Sequence, residues 1–171
     1  QQSNPNIVWV GTGEGNPRNS LNLGGGIFKS MDAGKTWKKM GLEKTICIHR
    51  VVIDPVNPNT VYAAAIGNPY AEHNDRGVFK STDGGETWTY VGLRETQSIS
   101  RVVLDPRNPE VVYVAANGPL FGPSPDRGIY KSTNGGTTNE YIAVATNSAP
   151  IPLAPGDWYL AVINRDTGDV T

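Results

Sequence analysis

Cysteine is nearly absent. Cys47 is the single one in 171 residues, so no intrachain disulfide can form. It sits in an apolar run and reads as a small buried hydrophobe, because a reactive thiol needs a basic, exposed setting. Histidine is almost as scarce: His49, His73 and Cys47 make no ligand cluster, so neither a metal nor a cofactor is expected. Charge of either sign is low, with Lys plus Arg at 15, Asp plus Glu at 16 and a net charge of -1. This excludes the basic footprint of a nucleic-acid binder and the composition of a highly charged disordered chain. No apolar run reaches the roughly 18 residues that cross a bilayer, so no membrane insertion is expected. The opening Gln-Gln-Ser-Asn-Pro-Asn has neither a charged nor an apolar segment of signal-peptide type, so such a leader is expected to be absent or already removed. Helical periodicity is missing as well.

What the chain has in excess is punctuation. Gly (20) and Pro (13) together supply about a fifth of the residues, against roughly 12% in average proteins. A chain that turns so often points to many short strands. It also repeats. GGGIFKSMDAGKTWKKMGL (24–42), DRGVFKSTDGGETWTYVGL (75–93) and DRGIYKSTNGGTTNEYIAV (126–144) place Ser30, Ser81 and Ser132 51 residues apart each time. RVVIDPVNPNTVYAAA (50–65) and RVVLDPRNPEVVYVAA (101–116) share that offset, and a degenerate copy, NPNIVWVGTGE, opens at Asn4.

One period spells four strands. Val51–Ile53 is a short β-branched run that ends at Asp54-Pro55. Asp-Pro-x-Asn-Pro is turn chemistry, since Pro presets φ and Asp or Asn bonds nearby backbone. Thr60–Ala65 is a second run, Gly77–Ser81 a third and Glu86–Val91 a fourth. A tight turn, Thr82-Asp83-Gly84-Gly85, lies between the last two. Four short antiparallel strands per roughly 40–50 residues is the pattern of a β-propeller blade. The expected fold class is therefore all-β: about three four-stranded propeller-type blades, forming a partial or composite propeller.

The turn carries a consensus, Ser-x-Asp-x-Gly-x-Thr-Trp: Ser30, Asp32, Gly34, Thr36 and Trp37, then Ser81, Asp83, Gly85, Thr87 and Trp88. It resembles the Asp-box, or BNR repeat, of sialidases, sortilin-type receptors and related propellers. The Asp carboxylate accepts turn N–H groups, Gly permits positive φ, and Trp can lie on the strand pair. The resemblance implies that these boxes join the third and fourth strands of a blade and are structural. In the third copy, Ser132 and Gly136 remain, Asn134 replaces Asp and Asn139 replaces Trp. Asn can still cap the turn, but a packing anchor is lost.

Residues 1–138 are expected to form the blades, and 139–171 a divergent β tail. Strands are expected at 139–146 and 156–164, with Trp158, Leu160 and Val162 on one face. The tail PLAPGDWYLAVIN resembles the closing strands of a bacterial pre-peptidase C-terminal domain. It is either the start of a separate β element or a closing strand for the first blade, which lacks an innermost strand. Over residues 4–138 the chain is similar to sortilin-like, BNR-containing bacterial extracellular propellers, often labelled glycosyl hydrolases. Such propellers have more than three blades, and four is the usual minimum for closure. The chain is thus read as a fragment, a chimera or one piece of an assembly, located extracellularly, at the cell surface or in the periplasm.

Alternating strands put the tight turns on one rim and the long loops on the other. Functional groups concentrate on loops that a rigid scaffold holds. The long loops carry Glu14, Asn16, Arg18, Asn19, Tyr70, Glu72, His73, Asp75, Arg76, Phe121, Asp126 and Arg127. The mixture of aromatic, amide and charged groups suits a sugar or an extended peptide. Arg76 and Arg127, each between Asp and Gly, read as braces of the loop base. The first function expected is a non-catalytic module that binds protein, peptide or glycan, or that self-assembles. The alternative is part of a sialidase- or endoglucanase-like hydrolase, whose chemistry needs two carboxylates roughly 5–9.5 Å apart. Glu14 and Asp75 are the only loop carboxylates nominated for that role. Asp-box propellers of the photosynthetic assembly-factor type are a third possibility. The stretch GTGEGNPRNSLNLGGG lacks the Gly-Lys-Ser/Thr and the helix of a phosphate loop.

Overall fold

A computed structural model describes residues 1–16, 20–71 and 74–136, and the backbone of 142–143. Three antiparallel sheets follow one another along the chain. The first holds β1 (Val8–Gly11), β2 (Ile27–Ser30) and β3 (Lys38–Lys39). The second holds β4 (Ile48–Ile53), β5 (Val61–Ala65), β6 (Gly77–Ser81) and β7 (Thr89–Gly92). The third holds β8 (Ile99–Asp105), β9 (Asn108–Ala116), β10 (Gly128–Ser132) and β11 (Ile142–Ala143). Each sheet is a meander in chain order, which is the blade that the repeat implies. The first blade begins at the second strand of the pattern: Val8 pairs with Ser30 as Val61 pairs with Ser81.

The core lies between blades. Strand β5, Val-Tyr-Ala-Ala-Ala, is buried on both faces. Its side chains alternate, so Ala63 and Ala65 join Ile27, Met40 and Ile48 on the side of the first blade. Tyr62 and Ala64 join Ile99, Val102, Leu104, Val112 and Val114 on the side of the third. Small residues at 63–65 let neighbouring sheets approach from both sides. A bulge recurs between Ile48 and Arg50 and between Ile99 and Arg101, which turns each first strand at the same place.

The turns are conserved in place but not in detail. Asp54 accepts the Val56 and Asn57 N–H groups at 2.8 and 3.1 Å, as the turn chemistry anticipates. In the third blade, Asp105 accepts from Arg107 at 2.8 Å and pairs with Asn108 across a tighter bend. Asn108-Pro109, read from the sequence as turn, is therefore the start of β9; a proline is tolerated there, at the end of a strand. Cys47 is fully buried, and that burial pushes its thiol pKa up. The expected strand at 156–164 and its face of Trp158, Leu160 and Val162 lie outside the described residues.

Candidate functional site

Each box is a self-contained hydrogen-bond cluster. In the first, the Ser30 hydroxyl donates to Asp32 (2.8 Å) and accepts the Gly34 N–H (2.7 Å). Asp32 also accepts the Thr36 N–H (2.8 Å) and Thr36 hydroxyl (2.6 Å). Ser81, Asp83, Gly85 and Thr87 repeat these bonds. The Thr36 hydroxyl, the Thr36 N–H and Ser30 hold the Asp32 carboxyl at about 2, and Asp83 is held lower still by Thr87 and Ser81. Such carboxylates stay ionised and fully occupied, so they cannot serve as general acids near neutrality. In the third box Asn134 takes the Ser132 hydroxyl at 2.9 Å, and Ser132 accepts the Gly136 N–H at 2.8 Å.

The boxes also dock on their own blades and on neighbours. The N–H groups of Ala33, Gly84 and Gly135 donate to the carbonyls of Asn6, Asn59 and Glu110, which ties each box to the bend beside it. Lys29 donates to the Gly84 carbonyl of the next blade at 3.0 Å, and Lys80 to the Gly135 carbonyl at 3.0 Å. Lys29 lies over the Trp9 ring and Lys80 over Tyr62, whose hydroxyl shares the Gly135 carbonyl at 3.1 Å. Sequence reasoning missed these clamps. Their signal was the lysine that precedes the box serine in all three copies. Trp88 packs edge-on against Trp9 and donates to the Met40 carbonyl of the preceding blade at 2.7 Å. Trp37 has no such neighbour among the described residues and is 43% exposed, its indole N–H donating to the Gly34 carbonyl.

The opposite rim gathers the β1–β2, β5–β6 and β9–β10 loops. Glu14 closes its own loop: its N–H donates to the Asn22 carbonyl at 2.9 Å and its carboxylate accepts the Asn22 N–H at 3.2 Å. Asn16 is exposed, and Gly15 packs beside His49, whose pKa is lowered by burial and by Arg50. Tyr70 stands on a turn built by Asn68, its N–H donating to the Asn68 side chain at 3.0 Å. Asp75 is half-buried before the buried Arg76. Asp126 donates its N–H to Ser124, and its carbonyl accepts from the Tyr130 hydroxyl. Arg127 braces the loop through the Pro119 and Gly122 carbonyls at 2.9 and 2.7 Å. Arg18, Asn19, Glu72 and His73 lie outside the described residues.

Glu14 is engaged within its own loop. Tyr70 and Phe121 occupy the same repeat position, 51 residues apart, and are 43% and 76% exposed. No group of three or more His, Cys, Asp or Glu side chains among the described residues is arranged to hold a metal ion.

The comparisons agree with the blades. The family model for Sortilin-Vps10, described as sortilin, neurotensin receptor 3, matches residues 25–150. A xyloglucanase of Hypocrea jecorina (strain QM6a) is 28% identical over 120 residues, which cover 64% of this chain and 13% of that protein. The chain thus spans a small part of the curated relative it matches. Among solved structures, the Niastella koreensis GH74 enzyme is 25% identical with a TM-score of 0.58, covering 86% of this chain and 21% of that one. An ancestral GH74 enzyme (18%, TM-score 0.59, covering 82% and 17%) and the GH74 xyloglucanase of Xanthomonas campestris (16%, 0.56, 85% and 22%) share the fold.

Proposed function

The chain belongs to the Sortilin-Vps10 family, and from that premise we propose that it is a glycan-binding segment of a hydrolase-type propeller, non-catalytic in itself. Its long-loop rim holds an extended, glucan-like chain outside the cell. The observation that carries this reading is the pair Tyr70 and Phe121: two exposed aromatic rings at one repeat position on adjacent blades. Ring faces suit the apolar faces of successive sugars, and the braced loops hold them in place. Kinship with a xyloglucanase supports a xyloglucan-type ligand.

Affinity electrophoresis in xyloglucan gels tests it. The chain is expected to be retarded, and Tyr70→Ala or Phe121→Ala is expected to weaken binding roughly tenfold. Migration unaffected by xyloglucan, or retardation that both variants keep, would sink the reading. A second reading, a segment that supplies hydrolytic carboxylates, is favoured by the same relative. It requires that Glu14→Gln or Asp75→Asn abolish a measured release of reducing ends.

A further inference from the structure

Asn-Gly occurs twice, as Asn117-Gly118 and Asn134-Gly135. A glycine has no Cβ to keep its backbone nitrogen away from the amide carbon of the side chain before it. The fold treats the two pairs differently. Asn134 stands in the third box: the Gly135 N–H donates to the Glu110 carbonyl at 2.7 Å, and the Asn134 side-chain oxygen accepts the Ser132 hydroxyl at 2.9 Å. Asp83-Gly84 is held alike, by the Asn59 carbonyl, Ser81 and Thr87. Asn117 follows β9 at the foot of the loop that carries Phe121, and it is exposed. Its N–H donates to the Ser98 carbonyl at 2.8 Å, but among the described residues neither its side-chain amide nor the Gly118 N–H makes a hydrogen bond. Arg127 packs against Gly118: a Cβ there would lie 2.8 Å from its Nε. The Pro119 and Gly122 carbonyls hold that guanidinium in place at 2.9 and 2.7 Å. A fixed positive charge beside Gly118 favours loss of its amide proton.

We propose that Asn117 is a site of spontaneous deamidation selected by the fold, while the third box shields Asn134. The Gly118 nitrogen attacks the carbonyl carbon of the Asn117 side chain. A C–N bond forms, the bond to the side-chain amide nitrogen breaks, and ammonia leaves with the proton from Gly118. Water then opens the cyclic imide at either carbonyl, giving aspartate or isoaspartate. One water is consumed and one ammonia released, with no oxidation or reduction. Either product adds a negative charge. Isoaspartate also adds a methylene to the main chain, beside the Asn117 anchor on Ser98. The loop that presents Phe121 is thereby re-aimed, so the modification weakens glycan binding, a consequence that rests on the function proposed above.

Incubation of the folded chain in warm, mildly alkaline buffer, followed by mass spectrometry of tryptic peptides, tests this. Cleavage after Arg107, Arg127 and Lys131 puts the two asparagines on separate peptides. Asn117 should convert at least about tenfold faster than Asn134, whose box bonds must break before it can react. In concentrated urea the two rates should converge. The proposal is overturned by an Asn117 that stays an amide, by a rate at Asn134 that equals or exceeds it in the folded chain, or by a preference for Asn117 that urea leaves unchanged. Aged chain should be retarded less than fresh chain in xyloglucan gels, and equal retardation would overturn the link to the Phe121 loop. If fresh chain is not retarded at all, the glycan reading falls and the peptide masses still decide the modification.

Discussion

The lysine at the third-strand position occurs in two blades with opposite surroundings, and one substitution separates them. Lys80 is buried, donates to the Gly135 carbonyl at 3.0 Å and caps the Tyr62 ring at 5.4 Å. A hydrogen bond from a charged donor contributes about 1.5–3 kcal/mol, and a desolvated cation–π contact up to about 2. Burying the ammonium costs part of that gain, and methionine regains apolar packing. Lys80→Met is therefore expected to lower unfolding free energy by about 2 kcal/mol. The Tyr62 hydroxyl still satisfies the Gly135 carbonyl in that variant, so adding Tyr62→Phe should cost more than it does alone, with a coupling of at least about 0.5 kcal/mol. Lys131→Met removes the same side chain where no carbonyl among the described residues accepts from it, and should change stability by no more than about 0.5 kcal/mol. Urea unfolding of dilute protein measures all four. Equal costs at positions 80 and 131 would refute the clamp.

Other consequences follow from the boxes. Gly85 has φ 95°, and a Cβ there would run into the Trp9 ring. Gly85→Ala should therefore destabilise by about 2–4 kcal/mol in urea unfolding, more than Gly122→Ala, where no atom lies within 4 Å of the added carbon. Asp32 titrates at about 2 instead of 3.8, and Asp83 is also lowered. Folded-state values below the unfolded ones mean a stabilisation that is complete above the unfolded pKa and is lost as pH falls through the folded pKa. Melting temperature should drop more steeply from about pH 4 to about pH 2 in the parent than in an Asp32→Asn, Asp83→Asn variant, whose boxes resemble the Asn134 turn. Identical slopes would contradict this assignment.

The residues reveal the blade because its signals are local. Ser, Asp and Thr of a box find one another within eight residues, and the bend at Asp54-Pro55 closes within seven, so both can be read along the chain. The contacts between blades span about fifty residues, and period alone does not reveal them. Trp37 and Trp88 are indistinguishable as letters, yet one is exposed and the other donates into the preceding blade. Only the stacking order separates them. The same limit applies to the rim. The loops were legible as loops, but the engagement of Glu14 with Asn22 and of Arg127 with two carbonyls is set by how each loop folds on itself.

Blades stack in chain order, and the second and third each seal the lysine of the one before it. Amine labelling of the dilute chain, followed residue by residue with mass spectrometry, addresses that most directly. Lys80 should react slowest, Lys29 next, and Lys131 at a rate close to that of the surface lysines. Equal rates at positions 29, 80 and 131 would mean that the three repeats are not stacked in this order.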